Sequence, residues 1–217
     1  MNIVFDFDST IVQAEGLDVL AEICFEGNIQ KVLEIEMLTN LAMSGKLSLK
    51  VSLSERIKSL NPNKKHIKLL QDILVTKISP SINALKPLFE NSKVDLFVLS
   101  GGFMEYVLPV CVHIGFLPSH IFANKFIYRN DLIIGLDDSI PLSNSLGKVV
   151  SIKNMGMKSP IYLIGDGYTD LETKLNGAVD YFIAYTETVH RDNVVDQADF
   201  VCKNFNEVMN LIYESKI

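Results

Sequence analysis

Asn2-Ile3-Val4-Phe5-Asp6-Phe7-Asp8-Ser9-Thr10 decides how the rest of the chain is read. Asn2 to Phe7 is a short, β-rich apolar run, the pattern of a strand buried in a parallel sheet. Residues two apart in extended backbone point to the same side, so Asp6 and Asp8 put two carboxylates on one edge. Such carboxylates repel unless a cation or a proton sits between them. An isolated Asp-x-Asp is more often a turn or a helix cap. One that closes a buried strand, with more acid downstream, is a candidate site.

Two more polar clusters follow apolar strand signals. Ser100-Gly101-Gly102 comes after the run from Lys93 to Leu99. Gly165-Asp166-Gly167-Tyr168-Thr169-Asp170 closes the run from Pro160 to Gly165. Ligands bind at the carboxyl ends of strands in an open parallel sheet, so all three clusters can meet. Asp6, Asp8, Asp166 and Asp170 at one edge imply a hard divalent cation of the Mg²⁺ kind. Ser100 with bare glycine backbone at a helix start suits an oxyanion; the alternative is a turn that needs glycine for its angles. The glycines of the third cluster let the chain turn tightly, and its aspartates then reach the metal or orient the loop.

Between the first cluster and the others the pattern changes. Residues 14 to about 76 show no strand. Leu17, Leu20, Ala21 and Cys24 recur at helical spacing, Gly27-Asn28 and Asn61-Pro62-Asn63 are breakers, and Ser48 can cap the helix that carries Arg56. From Ser79-Pro80, which is expected to open a helix, helix and strand alternate. Phe103 to Gly115 and Ser145 to Met155 read as helices, and Ile121 to Leu142 as an antiparallel hairpin turning at Arg129-Asn130-Asp131. Asp180 to Tyr185 and Asp199 to Lys203 read as strands, and Asn206 to Tyr213 as a closing helix. The fold class is α/β: a Rossmann-like, mostly parallel sheet with helices on its faces and a small β-hairpin. Residues 1–13 and 77–217 form the expected core, and residues 14–76 a helical insertion.

The 217 residues are 48% hydrophobic and 21% charged, which suits a globular chain able to bury a sizeable core. The net charge of −6 argues against nucleic acid as a partner. Cys24, Cys111 and Cys202 are isolated and read as reduced, buried thiols. A strand signal at residue 3 leaves no room for a signal peptide, and no apolar run is long enough to span a membrane. The expectation is a cytoplasmic protein. His66, His113, His120 and His190 have no partners at useful spacing.

The three motifs, in this order and spacing, resemble the haloacid dehalogenase superfamily of phosphohydrolases, and most of all its phosphoserine phosphatases. The resemblance covers the whole chain. It implies that Asp6 attacks phosphorus and becomes an acyl phosphate, while Asp8 is the proton carrier. It also implies Mg²⁺ held by the Asp6 carboxylate, the Asp8 carbonyl and Asp166, with Asp170 supporting them from behind. Ser100, Gly101 and Thr10 would bind phosphate, together with a lysine. The family often carries Lys-x-Lys at the relevant helix start, where this chain has Leu146-Gly147-Lys148; Lys148 is the candidate and Lys158 the second choice.

The insertion stands where the family has its cap. Glu15 suits the ammonium of an amino acid and Arg56 its carboxylate, with Met43 and Leu49 as an apolar wall. The resemblance therefore implies hydrolysis of O-phosphoserine, a small phosphorylated metabolite, as in L-serine biosynthesis, by a monomer or homodimer. Phosphoethanolamine, phosphocholine, or a sugar or vitamin phosphate are alternative substrates, and a non-catalytic binding protein on the same fold is a third reading. Tyr168 stands where small residues are common, either touching the metal loop or covering it.

Overall fold

The computed structural model describes residues 1–214 of the chain. Its strands are β1 (Asn2–Phe5), β2 (Asp95–Phe103), β3 (Ile121–Asn124), β4 (Phe126–Arg129), β5 (Leu132–Leu136), β6 (Ile161–Gly165), β7 (Tyr181–Tyr185) and β8 (Phe200–Cys202). Six of them form one parallel sheet in the order β3-β2-β1-β6-β7-β8. The alternation of side chains serves both faces. Ile3 and Phe5 enter one apolar cluster and Val4 the other; Tyr162 and Ile164 divide from Ile161 and Leu163 in the same way. Strands buried on both faces read as unbroken apolar runs for this reason.

The chain winds outward from β1 to β2 and β3, then returns to the other side of β1 for β6, β7 and β8. The direction reverses between β1 and β6. Loops leaving these two strands diverge and open a crevice at their carboxyl ends. Asp6 directly follows β1 and Asp166 directly follows β6.

Four helices lie in the insertion: α1 (Gly16–Phe25), α2 (Ile29–Met43), α3 (Leu49–Leu60) and α4 (Lys64–Thr76). Asn28, Ser48 and Asn63 cap the last three, their side chains accepting backbone N–H groups of the first turn. Each such cap contributes about 1 kcal/mol. The insertion leaves and rejoins at one place, an antiparallel bridge between Val12 and Ile78, flanked by Gln13 N to Lys77 O at 2.7 Å and Ser79 N to Ile11 O at 2.9 Å. The other helices are α5 (Lys86–Phe89), α6 (Met104–Ile114), α7 (Gly147–Met155), α8 (Tyr168–Leu175), α9 (Asp192–Val195) and α10 (Phe205–Glu214).

Four local expectations are corrected. Ser79 does not open a helix: its hydroxyl accepts from Ser81 N and donates to Glu187, closing a turn, and helical structure begins at Ile82 as a 3₁₀ turn. β2 continues through Ser100-Gly101-Gly102 to Phe103, so these residues are extended strand rather than a helix start. Residues 121–142 are not one hairpin. β3 pairs parallel with β2, and only β4 and β5 pair antiparallel, turning at Asn130 with φ 56°. α7 begins at Gly147 because Leu146 is left-handed, with φ 57°. The three cysteines form no disulfide, and no helix of the described residues is long and apolar enough to cross a membrane.

Candidate active site

Asp6 is buried at the crevice, and its Oδ1 accepts the Phe7 N–H at 2.8 Å and pairs with Lys148 Nζ at 2.8 Å. Lys148 also reaches Asp170 Oδ1 at 2.6 Å. Burial pulls the Lys148 ammonium down, but Asp170 and Asp6 outweigh it and hold it above the usual lysine value. The lysine arrives from the first turn of α7. A Cβ on Gly147 would fall 2.4 Å from Pro141 O, so glycine is required for α7 to start this close to the preceding turn. Lys158 is exposed, and its carbonyl merely accepts from Asn2.

Asp166 is paired with Arg191, Nε to Oδ2 at 3.1 Å. Arg191 also lies 3.8 Å from Glu15 Oε1, and Ser9 Oγ donates to the same Glu15 oxygen at 2.8 Å. Asp170 accepts the Gly167 N–H at 3.2 Å and is raised to about 7, by burial first and then by Asp6. Burial, followed by Glu15, pushes the Asp166 carboxyl well above the ordinary range. Burial does the same to Asp8, helped by Glu15 and Asp6; Asp8 Oδ1 accepts the Gly16 N–H at 2.7 Å.

Carboxylate oxygens of Asp6, Asp166 and Asp170 lie within 4.8 Å of one another. Among the described residues, Asp6, Asp8, Glu15, Asp166 and Asp170 face three cations, Lys148, Arg191 and Arg56. Buried oxygen donors thus outnumber the cations beside them, and such a donor set fits one hard divalent ion of the Mg²⁺ kind.

On the phosphate side, Gly101 and Gly102 line the cavity. Ser100 Oγ is buried just behind them and accepts the Gly102 N–H at 2.8 Å. Asn124, at the end of β3, donates to Gly101 O at 2.8 Å and ties that peptide to the sheet. Thr10, expected at the phosphate, does not line the cavity; it is fully buried, and its hydroxyl has no partner among the described residues.

The insertion closes the other side. Glu15, Met43, Leu49 and Arg56 line the same cavity as Asp6, Asp8 and Asp166. The free volume enclosed is only about 20 Å³, enough for one water. An adjoining cavity of about 220 Å³ shares Leu49, Lys148 and Thr169 with it. Tyr168 lies across the cleft on Gly45: a Cβ there would come within 2.9 Å of its ring, and φ of +75° is a further demand for glycine. Tyr168 therefore covers the site rather than entering it.

Sequence reasoning missed Arg191, Asn124 and Tyr106. Asn124 ends β3, so the strand-end rule was its available signal, whereas Arg191 comes from the loop after β7, which has no pattern of its own. Tyr106 is fully buried in α6 and has the pattern of a core residue, yet its ring lines the cavity. Its hydroxyl would be 2.5 Å from a Cβ on Gly102, the same point that Asp8 Oδ2 and Ser100 Oγ approach to 3.0 Å.

No family model matches the chain. Phosphoserine phosphatase of Homo sapiens is 32% identical over 216 residues, covering 98% of this chain and 93% of that protein. The chloroplastic phosphoserine phosphatase of Arabidopsis thaliana is 31% identical over 213 residues, covering 96% and 70%. Among solved structures, a phosphoserine phosphohydrolase-like protein from Francisella tularensis superposes with a TM-score of 0.90 at 30% identity, covering 97% of this chain and 99% of that one. The chain belongs to the phosphoserine phosphatase family of the haloacid dehalogenase superfamily.

Proposed function

We propose that the chain hydrolyses O-phosphoserine to serine and phosphate through an aspartyl-phosphate on Asp6. One observation carries the substrate: Glu15 and Arg56, complementary to an ammonium and a carboxylate, share a closed cavity with the Asp6 carboxylate. Membership of the family supports the same reading.

Each chemical role follows from what holds each atom. Lys148 and the Phe7 amide both engage Oδ1 of Asp6, and Oδ2 has no recorded partner among the described residues, so Oδ2 is the oxygen that attacks phosphorus. Burial favours the protonated form of Asp8, the form a general acid needs. It gives that proton to the departing seryl oxygen. It then takes one from the water that attacks the acyl phosphate, which returns Asp6 to a carboxylate. Gly101 and Lys148, with Ser100 just behind the glycines, would meet the phosphoryl oxygens. Asp6, Asp166 and the Asp8 carbonyl would hold Mg²⁺, which neutralises charge on those oxygens when bound.

Residues 14–76 act as a cap on a core of residues 1–13 and 77–217. Free space beside Asp6 is little more than one water needs, so the cap opens to admit substrate and closes to exclude water. Release of serine in the cytoplasm, as a step of serine formation, is the corresponding cellular role.

A panel of phosphomonoesters with Mg²⁺ and an EDTA control tests the activity, and Arg56→Ala tests the substrate. Turnover of O-phosphoserine should fall at least a hundredfold relative to that of 4-nitrophenyl phosphate. Equal loss on both would remove the amino-acid reading and leave a general phosphatase.

A further inference from the structure

Arg56 reaches the cavity from α3, and every partner that holds it belongs to the insertion. Nη1 donates to Thr39 Oγ1 at 2.8 Å, and Nε faces Ser52 O at 3.4 Å. Thr39 Oγ1 is in turn 2.5 Å from Asp18 Oδ1, with its other neighbour, Ile35 O, at 3.3 Å. Arg56 and Asp18 themselves stand 4.0 Å apart. Asp18 lies on α1, Thr39 on α2 and Arg56 on α3, so one chain of hydrogen bonds ties three helices together.

A threonine hydroxyl has one proton and two lone pairs. Arg56 can only donate, so Thr39 accepts from Arg56 and gives its own proton to Asp18. With Asp18 ionised, the 2.5 Å contact takes that proton, and Ile35 O at 3.3 Å is the weaker acceptor. An arginine paired directly with a carboxylate commits two N–H groups in a fork. Here Arg56 commits one N–H to Thr39 and a second to the Ser52 carbonyl, both neutral oxygens, and the opposing carboxylate is kept one atom away.

We infer that Thr39 is a positioning residue: it holds Arg56 off Asp18, so that the guanidinium stays available to a substrate that carries a carboxylate. This rests on the proposed reading of Arg56 as the carboxylate-binding group. Burial, then Glu15, raises the Asp18 carboxyl to about 7, which further weakens its competition for the arginine. Thr39 is itself 1% exposed and does not line the cavity.

The test compares Thr39→Val, Thr39→Ser and Thr39→Val combined with Asp18→Asn. Kinetics are measured on O-phosphoserine and on phosphoethanolamine, which lacks the carboxylate. Thr39→Val should raise KM for O-phosphoserine at least tenfold more than KM for phosphoethanolamine. Thr39→Ser should return it to within threefold of the native value. Adding Asp18→Asn should recover at least threefold, because the competing carboxylate is gone; a merely structural defect would not respond. Thr39→Ala carries the same expectation should the valine variant not fold. Equal shifts on both substrates, or no shift, would overturn the inference. Arg56→Ala in the same assay separates the two levels. If it discriminates between the substrates and Thr39→Val does not, only the role of Thr39 falls. If it fails to discriminate, the reading of Arg56 falls first.

Discussion

At the sheet edge, Lys148 lies 2.8 Å from Asp6 and 2.6 Å from Asp170, and Arg191 lies 3.1 Å from Asp166. In the helical insertion, Arg56 stands 4.0 Å from Asp18 with a hydroxyl between them. Both regions are buried, so desolvation of their charges is costly in both. The sheet edge offsets it by direct pairing, which holds the reacting groups in one geometry. The insertion leaves its cation under-committed, and an under-committed cation is what binds an incoming anion. Under the proposed roles, reaction and recognition use opposite treatments of a buried charge within one cavity.

The sharpest way to break this contrast is Asp6→Asn. It should lower phosphate release from every phosphomonoester alike by about 10⁴-fold or more, as loss of a nucleophile does. A loss confined to O-phosphoserine would mean that the sheet edge also reads the substrate. Lys148→Met comes next. It leaves Asp6 and Asp170 facing each other in a buried site, which costs about 3–5 kcal/mol. Urea unfolding in EDTA should show that loss, and native stability would show that the direct pairs do not hold the site.

A smaller effect belongs to Asp18, whose carboxyl rises from an ordinary 3.8 to about 7. The folded chain then binds this proton more tightly than the unfolded chain. Its contribution is present at low pH and is lost as pH rises toward 7. Between pH 5 and 7 the native protein should lose about 2 kcal/mol that Asp18→Asn does not lose. Parallel stability–pH curves for the two proteins would show that Asp18 is not raised. The smallest expected effect is at the seam between the regions. Gly45→Ala forces a Cβ against Tyr168 at a positive φ; it should cost about 1 kcal/mol of stability and change kcat/KM on O-phosphoserine by about twofold. A calorimetric scan that matches the native protein would show that the seam is loose.

Much of the sheet edge was legible in the sequence. Unbroken apolar runs mark β1 and β6, and the acidic clusters that close them mark the crevice. Lys148 is legible from its place at a helix start, even with Leu146 where a second lysine is expected. Arg191 is not, because it comes from a patternless loop after β7, and what brings it to Asp166 is sheet order. β3 reads as part of a hairpin because an apolar run does not reveal which strand it pairs with. Thr10 shows the reverse failure, since a place in a motif does not guarantee a place at the cavity. In the insertion, helical periodicity announces which faces are buried but not who meets whom. The relay through Asp18 and Thr39 joins residues from separate helices that only tertiary packing brings together.

The bridge between Val12 and Ile78 has a consequence for how such a protein diversifies. The chain departs toward the insertion and comes back through this suture, and a second bridge, Asn63 to Leu132, ties the insertion to β5. An exchanged insertion would therefore have to keep both attachments for the groups at the sheet edge to keep their spacing.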